Sequence, residues 1–166
     1  MSLVALLRGI NLGAKNKVDM KSLKTLFEEM GFENVRTYIQ TGNVIFDNTT
    51  YDILEIEKML FATYGFNIPV VLRTKAELEE IQQHPVFLKD QVYVMFLANE
   101  ISDEQQALLD SLVEDEFVVL KRKNIIINMS KNYHQTKFTN TFFEKKLGMV
   151  STARNQNTVN KILLKM

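Results

Sequence analysis

The chain has 166 residues, 46% of them hydrophobic, and its 20 basic and 20 acidic residues give a formal net charge of zero. This length fits one domain or two small halves that share a core, and no stretch approaches the roughly 18 apolar residues of a membrane span. The absence of cysteine excludes disulfides and thiol chemistry and favours a reducing compartment, so we expect a cytoplasmic protein without a membrane partner.

The zero net charge conceals a sorting of charge along the chain. Residues 121–166 hold ten basic residues and one acid, Glu144, whereas residues 47–120 hold fifteen acids and four bases. Sorted charge creates a local positive field, which favours an anionic partner such as a small phosphorylated molecule or a nucleic acid. The alternative is that the two regions simply neutralise each other in the folded protein.

The first half shows a ferredoxin-like order of elements. An apolar run bounded by glycine predicts a buried strand, good capping residues mark a helix, and a Thr-Gly turn between two short strands indicates a hairpin. The predicted elements are a strand at Leu3–Leu7, a helix opened by Asp19 and ended by Gly31, strands at Val35–Gln40 and Asn43–Phe46, a helix at about Tyr51–Tyr64, and a strand at Ile68–Leu72. The order is β-α-β-β-α-β.

The same order begins again in the second half, after a capping box at Thr74–Glu77 opens a short helix that ends before Pro85. The predicted elements are a strand at Val92–Leu97, a helix capped by Ser102, strands at Phe117–Leu120 and Ile125–Asn128, and helices at Thr139–Leu147 and Thr158–Lys165. No closing strand is evident. We therefore predict an α+β fold of two ferredoxin-like βαββα(β) units packed together, the second irregular. The expected division is residues 1–73, a connecting helix and loop at 74–90, and residues 91–166.

Three polar tracts are candidates for function. The first tract, residues 8–17, holds Arg8, Lys15 and Lys17, the amides Asn11 and Asn16, two glycines and no acid. Glycines allow backbone N–H groups to turn toward an anion, and the helix that follows adds the positive end of its dipole. The spacing matches neither a Walker A loop nor GxGxxG. An ordinary solvated loop is the alternative.

The second tract, residues 36–43, follows strand alternation, which places Arg36, Tyr38 and Gln40 on one face, with Asn43 just beyond the turn. These side chains suit stacking on, or hydrogen bonding to, a planar ligand. The wet face of a half-exposed sheet is the alternative.

The third tract, residues 151–158, precedes the last predicted helix. Arg154, Asn155 and Asn157 offer a guanidinium and amide donors at a helix N-terminus, where an anion is stabilised. Capping explains one asparagine but leaves Arg154 without a structural role. Lys137, before another helix, repeats this chemistry.

Metal and carboxylate chemistry are disfavoured. The sequence contains only two histidines, His84 and His134, and no cysteine, so we expect neither a zinc site nor any other cofactor. The carboxylates are scattered along predicted helices, which argues against hydrolysis by paired carboxylates.

The three tracts carry a resemblance to a family. Leu6–Gly13, Arg36–Phe46 and Thr152–Val159 closely resemble segments of DUF1697, a bacterial domain family of unknown function, and the likeness covers nearly the whole chain. The family pattern often has an aromatic residue where Gln156 stands and serine where Thr41 stands. The resemblance implies an α+β fold with ferredoxin-like units, and it implies no activity.

The leading hypothesis brings the three tracts into one basic, amide-rich groove that binds a phosphorylated ligand, such as a nucleotide or an RNA end. Its ligand-binding residues would be Arg8, Asn11, Lys15, Arg36, Tyr38, Gln40, Asn43, Lys137, Arg154, Asn155 and Asn157. An enzyme acting on a phosphorylated small molecule is one alternative, with Tyr38, Lys137 or His134 moving protons. A protein-interaction module is another, and the oligomeric state is open. The RRM signature is missing, which disfavours sequence-specific reading of RNA.

Overall fold

A computed structural model describes residues 1–48, 50–112, 117–128 and 138–166. Its elements, in chain order, are β1 (Ser2–Leu7), α1 (Met20–Glu29), β2 (Glu33–Tyr38), β3 (Asn43–Asp47), α2 (Ile53–Tyr64), β4 (Val70–Thr74), α3 (Lys75–Gln83), a 3-10 helix (Pro85–Leu88), β5 (Val92–Leu97), α4 (Asp103–Asp110), β6 (Phe117–Leu120), β7 (Asn124–Asn128), α5 (Asn140–Leu147), β8 (Ser151–Asn155) and α6 (Gln156–Lys165). None of the helices formed by these residues has the length and apolar content needed to cross a bilayer.

The chain forms two compact units. The first comprises Met1–Leu78 and Lys161–Met166, and the second comprises Glu79–Asn160. The expected division assigned the whole C-terminal helix to the second half, whereas the last six residues of the chain belong to the first unit.

Both units contain a four-stranded antiparallel sheet of the same topology. The strand order is β2-β3-β1-β4 in the first unit and β6-β7-β5-β8 in the second. With helices between the strands, this is the ferredoxin-like arrangement, and the predicted fold class is confirmed.

The second unit is more complete than the sequence indicated, because β8 closes its sheet. This strand pairs with β5 and places Arg154 opposite Val94. The absence of a closing strand was therefore a wrong prediction. β8 lacks the apolar run that marks a buried strand, since Ser151, Thr152 and Arg154 are polar residues that are nevertheless buried.

Each unit has its own core between one sheet face and two helices. In the first unit, the core includes Leu3, Ala5, Leu7, Leu23, Phe27, Val44, Phe46, Ile56 and Leu60. In the second, it includes Met95, Leu97, Leu109, Phe117, Ile125, Ile127, Phe138, Phe143 and Leu147. Full burial of a Leu or Phe side chain contributes about 1.5–3 kcal/mol, so these clusters supply the main driving force for folding.

Local capping fixes where α1 begins and ends, and so fixes the loop that precedes it. The Asp19 side chain accepts a hydrogen bond from the Ser22 N–H at 3.0 Å, as predicted for an N-cap. At the other end, Gly31 has a φ of +93° and the Phe32 N–H donates to the carbonyl of Phe27 at 3.2 Å. This is a Schellman end, and the predicted role of Gly31 is confirmed.

Candidate ligand-binding cleft in the first unit

The β1–α1 loop, which contains the first tract, is held in shape by the side chain of Asn11. Asn11 adopts a φ of +51°, its Oδ1 accepts from the Val18 N–H at 2.9 Å, and its Nδ2 donates to the Val18 carbonyl at 3.0 Å. Its backbone N–H also donates to the carbonyl of Asn16 at 2.9 Å. The Asn11 side-chain amide therefore supplies hydrogen-bond partners for both backbone groups of Val18. These bonds hold the start and the end of the loop together.

The same side chain joins this loop to the β2–β3 turn. Asn11 Nδ2 lies 2.8 Å from the carbonyl oxygen of Gln40 and donates to it. Inside the turn, Asn43 Nδ2 donates to the Tyr38 carbonyl at 2.9 Å and to Thr41 Oγ1 at 3.1 Å. The structure thus brings the first and second tracts together through Asn11, while Asn43 holds the turn of the second tract in shape.

A cleft of about 540 Å³ lies between this loop, the start of α1 and the β2–β3 turn. Its lining residues are Asn11, Lys17, Val18, Asp19, Met20, Lys21 and Gln40. Two lysines contribute cations, while the carboxylate of Asp19 is engaged as the helix cap. The N–H groups of a helix's first turn have no intrahelical acceptor, so Met20 and Lys21 add backbone donors here.

Lys21 was not among the predicted ligand residues, because it lies in the predicted helix opened by Asp19 and outside the three polar tracts. Lys17 belonged to the first tract but was not among the predicted ligand residues. Among the described residues, those that line the cleft do not include Arg8, Lys15 or Asn43, which were predicted to bind the ligand.

Arg36 and Tyr38 contact the end of the chain. Arg36 Nε donates to the Lys165 carbonyl at 2.7 Å, and a second guanidinium nitrogen donates to the Asn34 carbonyl. The Lys165 ammonium lies 5.5 Å from the centroid of the Tyr38 ring, a cation–π distance. The predicted stripe of Arg36, Tyr38 and Gln40 is wrong for Gln40, because β2 ends at Tyr38 and the turn redirects the chain.

The third tract lies in the second unit, where its side chains have structural roles. Arg154, only 6% exposed, donates through Nη1 to Thr152 Oγ1 at 2.7 Å and to the Ala153 carbonyl at 2.8 Å. Asn155 caps α6 by accepting from the Thr158 N–H at 2.8 Å, so it is the one asparagine that capping explains. Asn157 is exposed. Lys137 and His134 lie outside the described residues. That all three tracts share one groove stays a prediction.

A buried arginine in the first unit matches Arg154. Arg73 lies opposite Val4 as Arg154 lies opposite Val94, and each donates to the carbonyl of the residue before it. Arg73 is 3% exposed, and burial lowers its pKa to about 10, although the charge of Glu77 acts in the opposite direction. Sequence reasoning did not single out Arg73.

The repeat extends to a second pair of residues. Asn43 opens β3 and Asn124 opens β7, both are buried, and the two asparagines are separated by the same 81 positions as the two arginines. This common offset is a sequence signal that would have linked these residue pairs to the repeat already evident in the order of elements. Positions that recur in both sheets indicate roles in the scaffold, which weakens the case for Asn43 and Arg154 as ligand residues.

The two units differ at the loop that forms the cleft. The β1–α1 loop has twelve residues between Leu7 and Met20, whereas the corresponding β5–α4 loop has five between Leu97 and Asp103. In the second unit, the short loop is closed by the Ile101 N–H donating to the Arg122 carbonyl at 2.8 Å and by an Arg122–Asp103 salt bridge. The same topology therefore forms without the longer loop.

Comparison with known proteins supports the fold. The family model described as "Protein of unknown function (DUF1697)" matches residues 1–125. The chain is similar to the solved structure of the conserved bacterial protein SP0830 from Streptococcus pneumoniae, with 24% sequence identity and a TM-score of 0.73. The alignment covers 99% of this chain and 97% of that one. No curated protein matches the chain.

Proposed function

This chain belongs to the DUF1697 family, and we propose that its first unit binds a phosphorylated or otherwise anionic ligand in the cleft between the β1–α1 loop and the β2–β3 turn. The observation that carries the proposal is the longer loop. The β1–α1 loop is seven residues longer than the corresponding β5–α4 loop of the second unit. The longer loop forms part of a cleft that Lys17 lines. Loops on a rigid scaffold are where binding groups are usually placed.

The charges of the cleft favour an anion. Lys17 and Lys21 supply two ammonium groups, and the single lining carboxylate, Asp19, accepts a hydrogen bond from the helix it caps. Gln40 offers both an amide donor and an acceptor for ligand oxygens and N–H groups. Arg8 and Lys15, in the same loop, add to the local positive potential without contacting the ligand.

Asn11 acts as a positioning residue in this proposal. Its side-chain atoms make three hydrogen bonds within the protein, to the Val18 N–H, the Val18 carbonyl and the Gln40 carbonyl. A side chain committed in this way holds the loop and the turn at a fixed separation. The ligand contacts therefore fall to Lys17, Lys21 and Gln40.

Size favours a small molecule or the end of an RNA chain. Small-molecule sites typically occupy about 300–1,000 Å³, and the cleft volume of about 540 Å³ lies within that range. We propose binding rather than catalysis, because Tyr38 contacts Lys165, the described lining offers no histidine or tyrosine, and its one carboxylate, Asp19, caps α1. The lack of cysteine supports a cytoplasmic location.

The test is a titration of the ¹⁵N-labelled protein with phosphate, nucleotides and a short RNA at low salt. We expect shifts of the amide signals of Lys17, Lys21 and Gln40, with binding that weakens as salt is added. The double variant K17A/K21A should lose most of this binding. Lys24→Ala, an exposed lysine on α1 that does not line the cleft, is the matched control. Absence of binding by all three probes would refute the proposal.

A further inference from the structure

We infer that the exposed face of α2 is a contact surface between two copies of this chain, which pair with their α2 helices antiparallel. The inference does not depend on the anion site proposed above. It is supported by an apolar stripe on α2, by the polar face of the corresponding helix in the second unit, and by the positions of opposite charges beside the stripe.

The outward side of α2 carries the apolar stripe. Leu54 is 74% exposed and Phe61 is 50% exposed. These two residues are seven positions apart, so they lie on the same side of the helix, about 10 Å from each other along its axis. With Tyr51 and Met59, they make four of the ten exposed large hydrophobic side chains in the described part of the chain. Single exposed hydrophobic residues are ordinary, but this concentration on one element indicates an interaction surface.

The fold itself does not require an apolar face at this position. In the second unit, α5 connects β7 to β8 as α2 connects β3 to β4 in the first. The exposed residues of α5 are Thr141, Lys145 and Lys146, which are all polar. Two helices with equivalent places in the same topology therefore differ in their outer faces, so the stripe on α2 is a feature of the first unit alone.

The charges beside the stripe favour a second copy of the same helix. Glu55 and Lys58 are exposed and lie on the same side of the stripe. Antiparallel pairing about a two-fold axis midway along the stripe places Leu54 against Phe61 of the second copy. The same operation brings Glu55 to within about 3 Å, along the helix axis, of Lys58 of the second copy. Because a two-fold contact is made by the same patch on both copies, it contains each of these pairs twice.

The acidic balance of α2 disfavours a membrane as the occupant. The helix and its cap hold three acids and one base, namely Asp52, Glu55, Glu57 and Lys58. Helices that lie on anionic lipids carry lysine and arginine on their polar face instead. The contact is small, since permanent complexes bury at least about 2,000 Å² and α2 has only 12 residues. We therefore expect a dimer that dissociates on dilution.

The experiment measures self-association by sedimentation equilibrium over a range of protein concentrations. We expect a monomer–dimer equilibrium for the wild-type protein and a dissociation constant raised about tenfold or more by Leu54→Ser. Leu164→Ser, which alters an 80% exposed leucine on α6, is the matched control and should leave the dissociation constant unchanged. Circular dichroism checks that each variant is folded.

Charge reversal tests the antiparallel arrangement. Glu55→Lys and Lys58→Glu should each weaken self-association, because each places like charges at both pairs. An equimolar mixture of these two variants should associate again, because every pair between the two different copies then joins a lysine to a glutamate. An effect on the stability of the single helix would not be rescued by mixing.

The other outcomes overturn the inference. A wild-type protein that stays monomeric up to about 1 mM has no such contact. A dimer that Leu54→Ser leaves intact uses a different surface, and a mixture of the charge variants that fails to associate contradicts the antiparallel arrangement. Co-sedimentation of monomeric protein with anionic vesicles, lost in Leu54→Ser, would assign the face to a membrane.

Discussion

Replacing Gly42 with alanine is expected to destabilise the first unit by about 2–5 kcal/mol, the sum of a backbone term and a steric term. Gly42 has a φ of +93°, which costs a residue with a Cβ about 1–2 kcal/mol. A Cβ at this position would lie 2.7 Å from Ile10 Cδ1 and 2.9 Å from Leu7 Cβ. The isoleucine can rotate away, but Leu7 Cβ is fixed by its strand, so overpacking adds about 1–3 kcal/mol.

The two terms can be separated with a matched glycine. Gly65 ends α2 with a φ of +83°, and an added Cβ would meet no atom within 4 Å. Gly65→Ala therefore carries the backbone term alone. Urea denaturation followed by circular dichroism gives the free energy of unfolding of both variants. Equal destabilisation by the two substitutions would refute the close approach of the β2–β3 turn to β1, and with it the geometry of the cleft.

Three further predictions concern single side chains. Ile39→Asn should raise the free energy of unfolding by about 1 kcal/mol, because Ile39 has a φ of +49° and asparagine relieves the strain of this left-handed conformation; an unchanged or lower melting temperature would contradict this. Asn11→Ala should cost about 2–4 kcal/mol for three lost hydrogen bonds, measured by urea denaturation, whereas the exposed Asn157→Ala should change stability by less than about 0.5 kcal/mol. Burial lowers the pKa of Arg73 in the folded chain to about 10, well below its ordinary value, so above about pH 10 the unfolded chain binds more protons than the folded chain and Arg73 makes stability rise with pH. The stability of the wild-type protein relative to Arg73→Met should therefore increase between about pH 9 and about pH 11, and a flat difference would contradict the lowered pKa.

The fold was predictable because its signals are local. Asp19 and Gly31 mark the ends of α1 through contacts within a few residues, and the capping box at Thr74 and Glu77 forms with bonds of 2.9 and 3.2 Å. The alternation of strands and helices then fixed the ferredoxin-like class. β8 escaped prediction because burial of its polar side chains depends on neighbouring strands, which the local sequence does not show.

The candidate site was predictable only in part, because the sequence shows which groups can bind a ligand and not which are already engaged. Asn11 and Asn43 were predicted to bind the ligand, and both are hydrogen-bonded within the protein. Arg154 was interpreted as a ligand residue, while it is a buried side chain that bonds to Thr152. Lys21 joins the cleft only because the loop brings the start of α1 beside the β2–β3 turn.

The placement of residues 161–166 in the first unit has a consequence for the synthesis of the protein. The hydrogen bond from Arg36 to Lys165 joins residues 129 positions apart, so it cannot form until Lys165 has emerged from the ribosome. Domains generally fold in the order in which they are translated, but these contacts of the first unit form only after the second unit has been synthesised. Nascent chains halted before residue 161 should therefore show Arg36 and Tyr38 without their Lys165 contacts, whichever parts of the sheet have already formed.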